Sequence, residues 1–347
     1  MKSIMNRILS KVCIAAAGLY AILIVLWFIL HLMFGDSIWW LALLNVFAPF
    51  FFLPLIVLLP LSIFWRRRSV WLSTVLSVLV FLWLYGRLFW PFRPQIPITT
   101  EVPFTVMSFN IWGGSRSAET IQVIRDGELP DVVAIQELTP EMVEVLVSVV
   151  GDVYPYRLLS AGAGYKGLGI LSRYPLTEID SAPLDDPNWQ VQIAQIIRDN
   201  HVFTFYNVHT QSSNLLLYLQ KGTSVADEVQ TSFRIRQSLT QRLMANIANR
   251  NGAVIVAGDF NSTDQSEVYA LLTQQLADAH AVAGWGFGHT FPAYAGNYRG
   301  IPIPPLEMRL DMILYSHQMT ALNSWTGTTY GESDHLPVFA KLAWLKP

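Results

Sequence analysis

Apolar positions fall along this chain in two different patterns. Residues 12–33 (VCIAAAGLYAILIVLWFILHLM) form one continuous apolar run in which His31 is the single mildly polar position. A helix needs about 20 such residues to cross a bilayer. Residues 38–64 are also uncharged and apolar, with Pro49, Pro54 and Pro60 inside. Spanning helices tolerate proline because neighbouring groups re-satisfy the freed backbone. A third run, VWLSTVLSVLVFLWLY at 70–85, extends toward Trp90. Three transmembrane helices within residues 1–90 follow from this pattern. The first run exceeds the roughly 7–15 apolar residues of a cleavable signal, and two more runs follow it, so it is read as retained.

From Phe104 onward short apolar runs alternate with amphipathic ones. Strands are predicted at 104–110 (FTVMSFN), 131–137 (DVVAIQE), 167–175, 190–199, 201–209, 253–261 (AVIVAGDFN), 309–316 and 338–345. Asp199-Asn200 reads as a hairpin turn between two of them. Helices are predicted at 117–128, 139–149, 228–249 and 265–275; the third carries Phe233, Ile235, Leu239, Leu243 and Ile247 near one side. Several strands share one design, an apolar run that ends on Asn, Glu, His or Asp. In layered α/β proteins such ends meet at one edge of the sheets, where sites are found. Between the two regions lie Pro91, Pro94, Pro97 and Pro103. Residues 91–103 therefore read as a stiff, extended linker, and 104–347 as the catalytic body.

Charge sharpens this division. Residues 1–94 hold one acidic residue, Asp36, and eight basic ones; residues 95–347 hold 24 acidic and 15 basic residues, a formal charge of −9. Lys2, Arg7 and Lys11 precede the first run and Arg66–Arg68 separate the second from the third, whereas the Gly35-Asp36 loop has no basic residue. The positive-inside rule then places the N-terminus and the triple-arginine loop in the cytoplasm and the body on the opposite side. Arg87 and Arg93 oppose that bias slightly. Nucleic-acid binders usually show a basic stripe, because phosphate neutralisation carries most of their affinity, although a cleft can be basic locally. The body has none; Arg234, Arg236 and Arg242 on one helix read as a solvated face. The only cysteine is Cys13, so no disulfide framework exists within the chain.

The polar strand ends, MSFNIW (107–112), AIQE (134–137), GILSRYPL (169–176), NVH (207–209), GDFN (258–261), RLD (309–311) and SDHLP (333–337), resemble in order the motifs of the endonuclease/exonuclease/phosphatase superfamily. That resemblance covers about 104–345. It implies a four-layer α/β/β/α sandwich of two mainly antiparallel sheets flanked by helices, a bound Mg²⁺ or Mn²⁺, and hydrolysis of a phosphate ester. Glu137 is a hard carboxylate suited to Mg²⁺. Asn110 can stand beside the ion without adding charge, and Asp334 is expected by the metal or a second metal site. His335 is the candidate general base, since imidazole titrates near neutrality. The resemblance makes Asp311 its orienting partner. It also assigns Asp259 to the attacking water, and Asn261 and His209 to the phosphate. Asp259 and Asn261, at i and i+2, project to the same side of a strand. Arg309 could reach a phosphate or a nearby carboxylate, and His289 lies in a stretch that resembles a loop near the substrate cleft. Where some relatives carry a second acidic residue after the first Asn, this chain has Trp112.

The three-span layout resembles bacterial members linked to glycopeptide resistance, whose outward domain is thought to act on a lipid-carrier phosphate. The expected activity is therefore a membrane-anchored phosphoesterase with the lipid bilayer as partner and a phosphorylated, lipid-linked substrate. The alternatives are a metal-dependent nuclease acting on DNA or RNA and a non-catalytic binding module on a membrane stalk.

Overall fold

A computed structural model describes the chain outside residues 1, 66, 91–100, 116, 127–128, 188, 213–223, 295–296, 299–300, 303–306 and 347. Most of the expected linker thus lies outside the described residues. The first apolar run is one helix, α1 (Lys2–Phe34). The second is not one helix. It divides into α2 (Trp39–Val46), a 3₁₀ segment (Ala48–Phe52) and α3 (Leu55–Trp65). Pro49 and Pro54 stand at the two breaks, where a missing N–H and a restricted preceding residue interrupt helical bonding. The third run is α4 (Arg68–Phe89). Three stretches are long and apolar enough to cross a membrane: Ser10–Phe34, Ala48–Trp65 and Arg68–Phe89. The second stretch begins ten residues later than its sequence implied, and α2 stands outside it.

The body holds two six-stranded mixed sheets. The first runs β13 (Met319–Thr326), β14 (Val338–Trp344), β1 (Phe104–Asn110), β2 (Val132–Gln136), β4 (Leu168–Ser172), β3 (Tyr156–Ser160). The second runs β5 (Leu176–Ile179), β6 (Trp189–Arg198), β7 (His201–Thr210), β8 (Ala253–Asp259), β12 (Asp311–Tyr315), β9 (Ala277–Asp278). Each sheet has one parallel pair, β1 with β2 and β7 with β8; the other pairs are antiparallel. A small hairpin of β10 (Asn297–Tyr298) and β11 (Ile301–Pro302) stands apart.

Alternation along the strands makes the layers. Phe104 and Val106 of β1 and Val132 and Ala134 of β2 face Phe203, Phe205, Ile255 and Ala257 in one core between the sheets. The residues between them point outward. Met107, Phe109, Val133 and Ile135 are covered by α5 (Ala118–Asp126) and α6 (Pro140–Val150) through Ile121, Ile124, Met142 and Leu146. Tyr206, Val208, Val256 and Leu314 are covered by α7 (Val225–Ala248) and α8 (Glu267–Leu272) through Leu239, Leu243 and Leu272. The result is the helix–sheet–sheet–helix order that the resemblance implied. Fully burying one such side chain is worth about 1.5–3 kcal/mol, so these three clusters dominate cohesion of the body.

Candidate active site

The same alternation that fills the central core delivers the polar residues. On β1 the inward row is Phe104, Val106, Ser108, Asn110; on β7 it is Phe203, Phe205, Asn207, His209; on β8 it is Ala253, Ile255, Ala257, Asp259. Because β1/β2 and β7/β8 are parallel pairs, Asn110 and Gln136 end level, and so do His209 and Asp259. β12 runs against β8, so its first residue, Asp311, pairs with the last, Asp259. β14 runs against β1, so the segment entering it brings His335 to the same edge. Residues more than two hundred positions apart thus meet at one end of the sandwich.

Asp259 is the hub. It is buried, and its Oδ2 accepts from Asn110 Nδ2 at 3.1 Å and Asn261 Nδ2 at 3.2 Å. His209 Nε2 and His335 Nε2 stand 3.7 and 3.8 Å from that oxygen. His335 Nδ1 meets Asp311 Oδ2 at 2.8 Å, and the His335 backbone N–H donates to Ser333 Oγ at 3.0 Å. Ser333 in turn donates to the Asn110 carbonyl at 2.7 Å, tying the histidine segment to the end of β1. His209 Nδ1 contacts the Tyr165 carbonyl at 3.1 Å, which aims its other nitrogen at Asp259. Glu137 Oε1 accepts from Asn110 Nδ2 at 3.0 Å and Oε2 from the Gly113 N–H at 2.7 Å. Glu137 and Asn261 both have positive φ, +62° and +46°. Such backbone costs of order 1–3 kcal/mol at a non-glycine residue and concentrates at functional sites.

The electrostatics follow from this crowding. Burial raises the Asp259 pKa and Asp311 raises it further, against the pull of His335 and His209. Burial alone would lower the His335 pKa, but Asp311, Asp259 and Asp334 outweigh it and hold the value at about 10. Burial also raises the Asp334 pKa against the pull of His335, and Glu137 and Asp259 add to the rise. Four carboxylates, Glu137, Asp259, Asp311 and Asp334, therefore face one another with two histidines between them. Asp311 Oδ1 is buried without a hydrogen-bond partner. An excess of buried carboxylate oxygen of this kind fits a hard divalent cation. Asp259, Asp311 and His335 also bring one donor atom each within 4.8 Å of one another.

Glu137, Asp259, Asn261, Asp334 and His335 border a single cavity of about 490 Å³. Asn110, His209 and Asp311 adjoin it through the bonds above. Two expected residues are not brought to it. Arg309 is 3% exposed, and its Nη2 meets Asp278 at 2.8 Å with Asp264 at 3.7 Å, so it engages nearby carboxylates. His289 contacts Glu307 at 3.0 Å and stacks on Phe287. Arg236 departs from its reading as a solvated residue. It is 2% exposed, lies over the Phe233 ring at 4.6 Å, and lines the cavity.

Beneath the site is a polar layer that the sequence did not announce. Gln136 Nε2 donates to Asn207 Oδ1 at 2.7 Å, and Asn207 Nδ2 donates to the Ile135 and Gly169 carbonyls at 2.9 and 3.0 Å. These bonds lock the two sheets in register just below the edge where Asp259 and His335 meet. Thr290 does similar work, its Oγ1 accepting from the Leu310 and Asp311 N–H groups at 3.1 and 3.2 Å. The signal available for Gln136 and Asn207 was a polar residue on an inward row one step before the strand ends.

Paired mixed sheets with a histidine–aspartate couple and carboxylates at their common edge define an α/β-sandwich class with its polar site at the strand ends. The family model described as the endonuclease/exonuclease/phosphatase family matches residues 107–335, and the chain belongs to that family. Members are generally hydrolases acting on phosphodiester bonds. Among solved structures, an endonuclease/exonuclease/phosphatase from Bacteroides vulgatus is 20% identical at a TM-score of 0.52, covering 71% of this chain and 100% of its own. D. rerio TDP2, complexed with single-strand DNA product, is 17% identical at a TM-score of 0.54, covering 70% and 99%. Beta toxin from Staphylococcus aureus is 17% identical at a TM-score of 0.51, covering 68% and 99%. These likenesses concern the fold of the body. No curated protein matches the sequence significantly.

Proposed function

We propose that the chain is a divalent-metal-dependent phosphoesterase that hydrolyses a phosphate or pyrophosphate ester of a membrane-associated substrate, with its N-terminus cytoplasmic and its body on the other side of the bilayer. The observation that carries this reading is Asp259 flanked by two imidazoles at 3.7 and 3.8 Å, one of them bonded to Asp311. Mg²⁺ or Mn²⁺, held by Glu137 with Asp334 and Asn110 beside it, would neutralise charge on the phosphate oxygens. We place the ion there rather than inside the Asp259–Asp311–His335 trio because His335 Nδ1 already engages Asp311 at 2.8 Å.

The remaining roles follow from the electrostatics. Asp311 beside Nδ1 favours the protonated form of His335, which suits donating to a phosphoryl oxygen and giving a proton to the leaving oxygen better than accepting a proton from water. Asp259, whose pKa is raised, is the better acceptor for the proton of the attacking water. This exchanges the roles that residue type alone suggested. His209 and Asn261 hold the other side of the phosphate. Preorganised donors of this kind act where charge develops in the transition state.

The test uses full-length protein in detergent micelles with Mg²⁺, offered lipid phosphates and pyrophosphates, inositol phosphates, and DNA and RNA. Metal-dependent phosphate release from the lipid substrates is the expected result. Efficient cleavage of nucleic acid with the lipid phosphates left intact would overturn the membrane-substrate reading in favour of a nuclease.

A further inference from the structure

The cavity that borders Glu137, Asp259 and His335 is not made by the body alone. Leu43, Val46 and Phe47, from α2 and the residue after it, form part of its lining. This short helix lies between the first and second membrane-length stretches. We propose that α2 is a wall of the active site, and that the cavity seats the apolar chain of an amphiphilic phosphoester whose phosphate lies at Glu137, Asp259 and His335. The inference rests on the phosphoesterase reading above and names which part of the chain recognises the rest of the substrate.

Three sets of contacts fix the wall in place. The first is a reciprocal clasp. The Asp36 N–H donates to Glu267 Oε1 at 3.2 Å and the Glu267 N–H donates to Asp36 Oδ2 at 2.7 Å. Asn45, inside α2, braces the clasp by donating to Asp36 Oδ1 at 2.9 Å and the Gly35 carbonyl at 3.1 Å. The second is apolar: Ala42 packs against Val229 and Phe233 of α7. The third lies on α4, where Arg87 donates to the Tyr269 hydroxyl at 3.1 Å and Tyr85 and Phe89 meet Phe287 at 5.3 and 5.2 Å. The membrane segment is therefore docked on the body at several independent points.

The lining is of mixed polarity. It joins Glu137, Asp259, Asp334 and His335 to the apolar Leu43, Val46, Phe47, Phe291, Met308 and Leu310, with Asp36 and Asn45 beside the α2 residues. The Ser262 and Thr263 side chains belong to the same lining and are 3% and 4% exposed; their hydroxyls are buried and have no hydrogen-bond partner. Arg236 adds a positive charge to the same wall. This mixed lining matches an amphiphile: phosphate at the carboxylates, linking oxygens at the Arg236 guanidinium, hydrocarbon on Leu43, Val46 and Phe47. About 490 Å³ is room for a headgroup and the first part of a chain, with the rest leaving toward the bilayer side.

The experiment measures binding and turnover separately, on full-length protein in detergent with Mg²⁺. The probes are hexadecylphosphonate and methylphosphonate, which carry the same headgroup and cannot be hydrolysed. Wild type should bind the long-chain probe at least about tenfold more tightly, because each buried methylene adds to affinity. Val46→Trp, which fills the wall, should reduce that preference about tenfold; Leu43→Asp, which makes the wall polar, should do the same and covers the event that the tryptophan variant melts early. A preference unchanged in both folded variants, or absent from wild type, overturns the proposal. So does a single-strand oligonucleotide that displaces the probe more strongly than the alkyl chain does. Turnover distinguishes the two readings. A protein that shows the Val46-dependent preference yet hydrolyses no phosphoester keeps the wall and loses the phosphoesterase; hydrolysis indifferent to chain length and to Val46 does the reverse.

Discussion

At the level of single residues, the set that meets around Asp259 was legible because each member lies at or just beyond the end of an apolar strand run. Asn110, Glu137, His209, Asp259, Asn261, Asp311, Asp334 and His335 all come to one edge of the sandwich. Arg309 was not separable from them by sequence, since a guanidinium two positions before an aspartate can serve a phosphate or a carboxylate equally well. Its surroundings decided the matter: Asp278 and Asp264 lie beside it. The role of His335 also needed coordinates, because its proton affinity depends on how many carboxylates surround it. Its folded pKa of about 10 lies above the unfolded value of 6.5. The stabilisation it brings is therefore complete below about pH 6.5 and is lost as pH rises through about 10. In metal-free protein, His335→Gln should lower the melting temperature far more at about pH 6 than at about pH 10.5, the low-pH loss being about 3–5 kcal/mol. A penalty that does not vary with pH would show that the imidazole is neutral in the folded site.

Among the elements, the central strands were readable and the edges were not. β1, β2, β7 and β8 are apolar on both faces because both are covered. β3, β5, β9 and β13 were missed, and all four are sheet edges. β3 and β5 contain no fully buried residue, so no hydrophobic row marks them. α2 was missed for the opposite reason. Its sequence is apolar throughout, as a membrane span is, and composition could not tell a helix docked on protein from one facing lipid. Asn45, bonded to Asp36 and to the Trp27 Nε1–H at 3.2 Å, was the polar mark inside it. The turn leading into α2 is equally constrained. Gly35 has φ +50°, and a Cβ there would lie 2.4 Å from Glu267 Oε1. Gly35→Val should therefore loosen the docking of α2, costing about 1–3 kcal/mol from the backbone alone. The check is a lower melting temperature with new protease sensitivity around residues 35–47. A variant as stable and resistant as wild type would mean that the turn does not hold the helix.

For the molecule as a whole, the sequence divides into a basic, apolar head and an acidic body, and the structure joins the two through the Asp36–Glu267 clasp and the aromatic cluster at Phe287. That joining could not be read from the sequence, because it depends on one aspartate and one short helix. Sidedness is carried by the arginine and lysine bias. In a Cys13→Ser background, a cysteine placed at exposed Trp285 should react with an impermeant thiol reagent on intact cells, and one placed at Arg67 only after lysis. The opposite pattern would invert the topology. The central claim is that the residues around Asp259 form a metal-dependent hydrolytic centre. Its most direct test is phosphate release by full-length protein with Mg²⁺, with Mg²⁺ removed by chelation, and in Asp259→Asn with Mg²⁺. The expected result is hydrolysis that chelation abolishes and Mg²⁺ restores, with turnover at least about 10²-fold lower in the Asp259→Asn protein at a temperature where it remains folded. Hydrolysis that survives chelation, or that survives loss of the Asp259 carboxylate, would contradict the account.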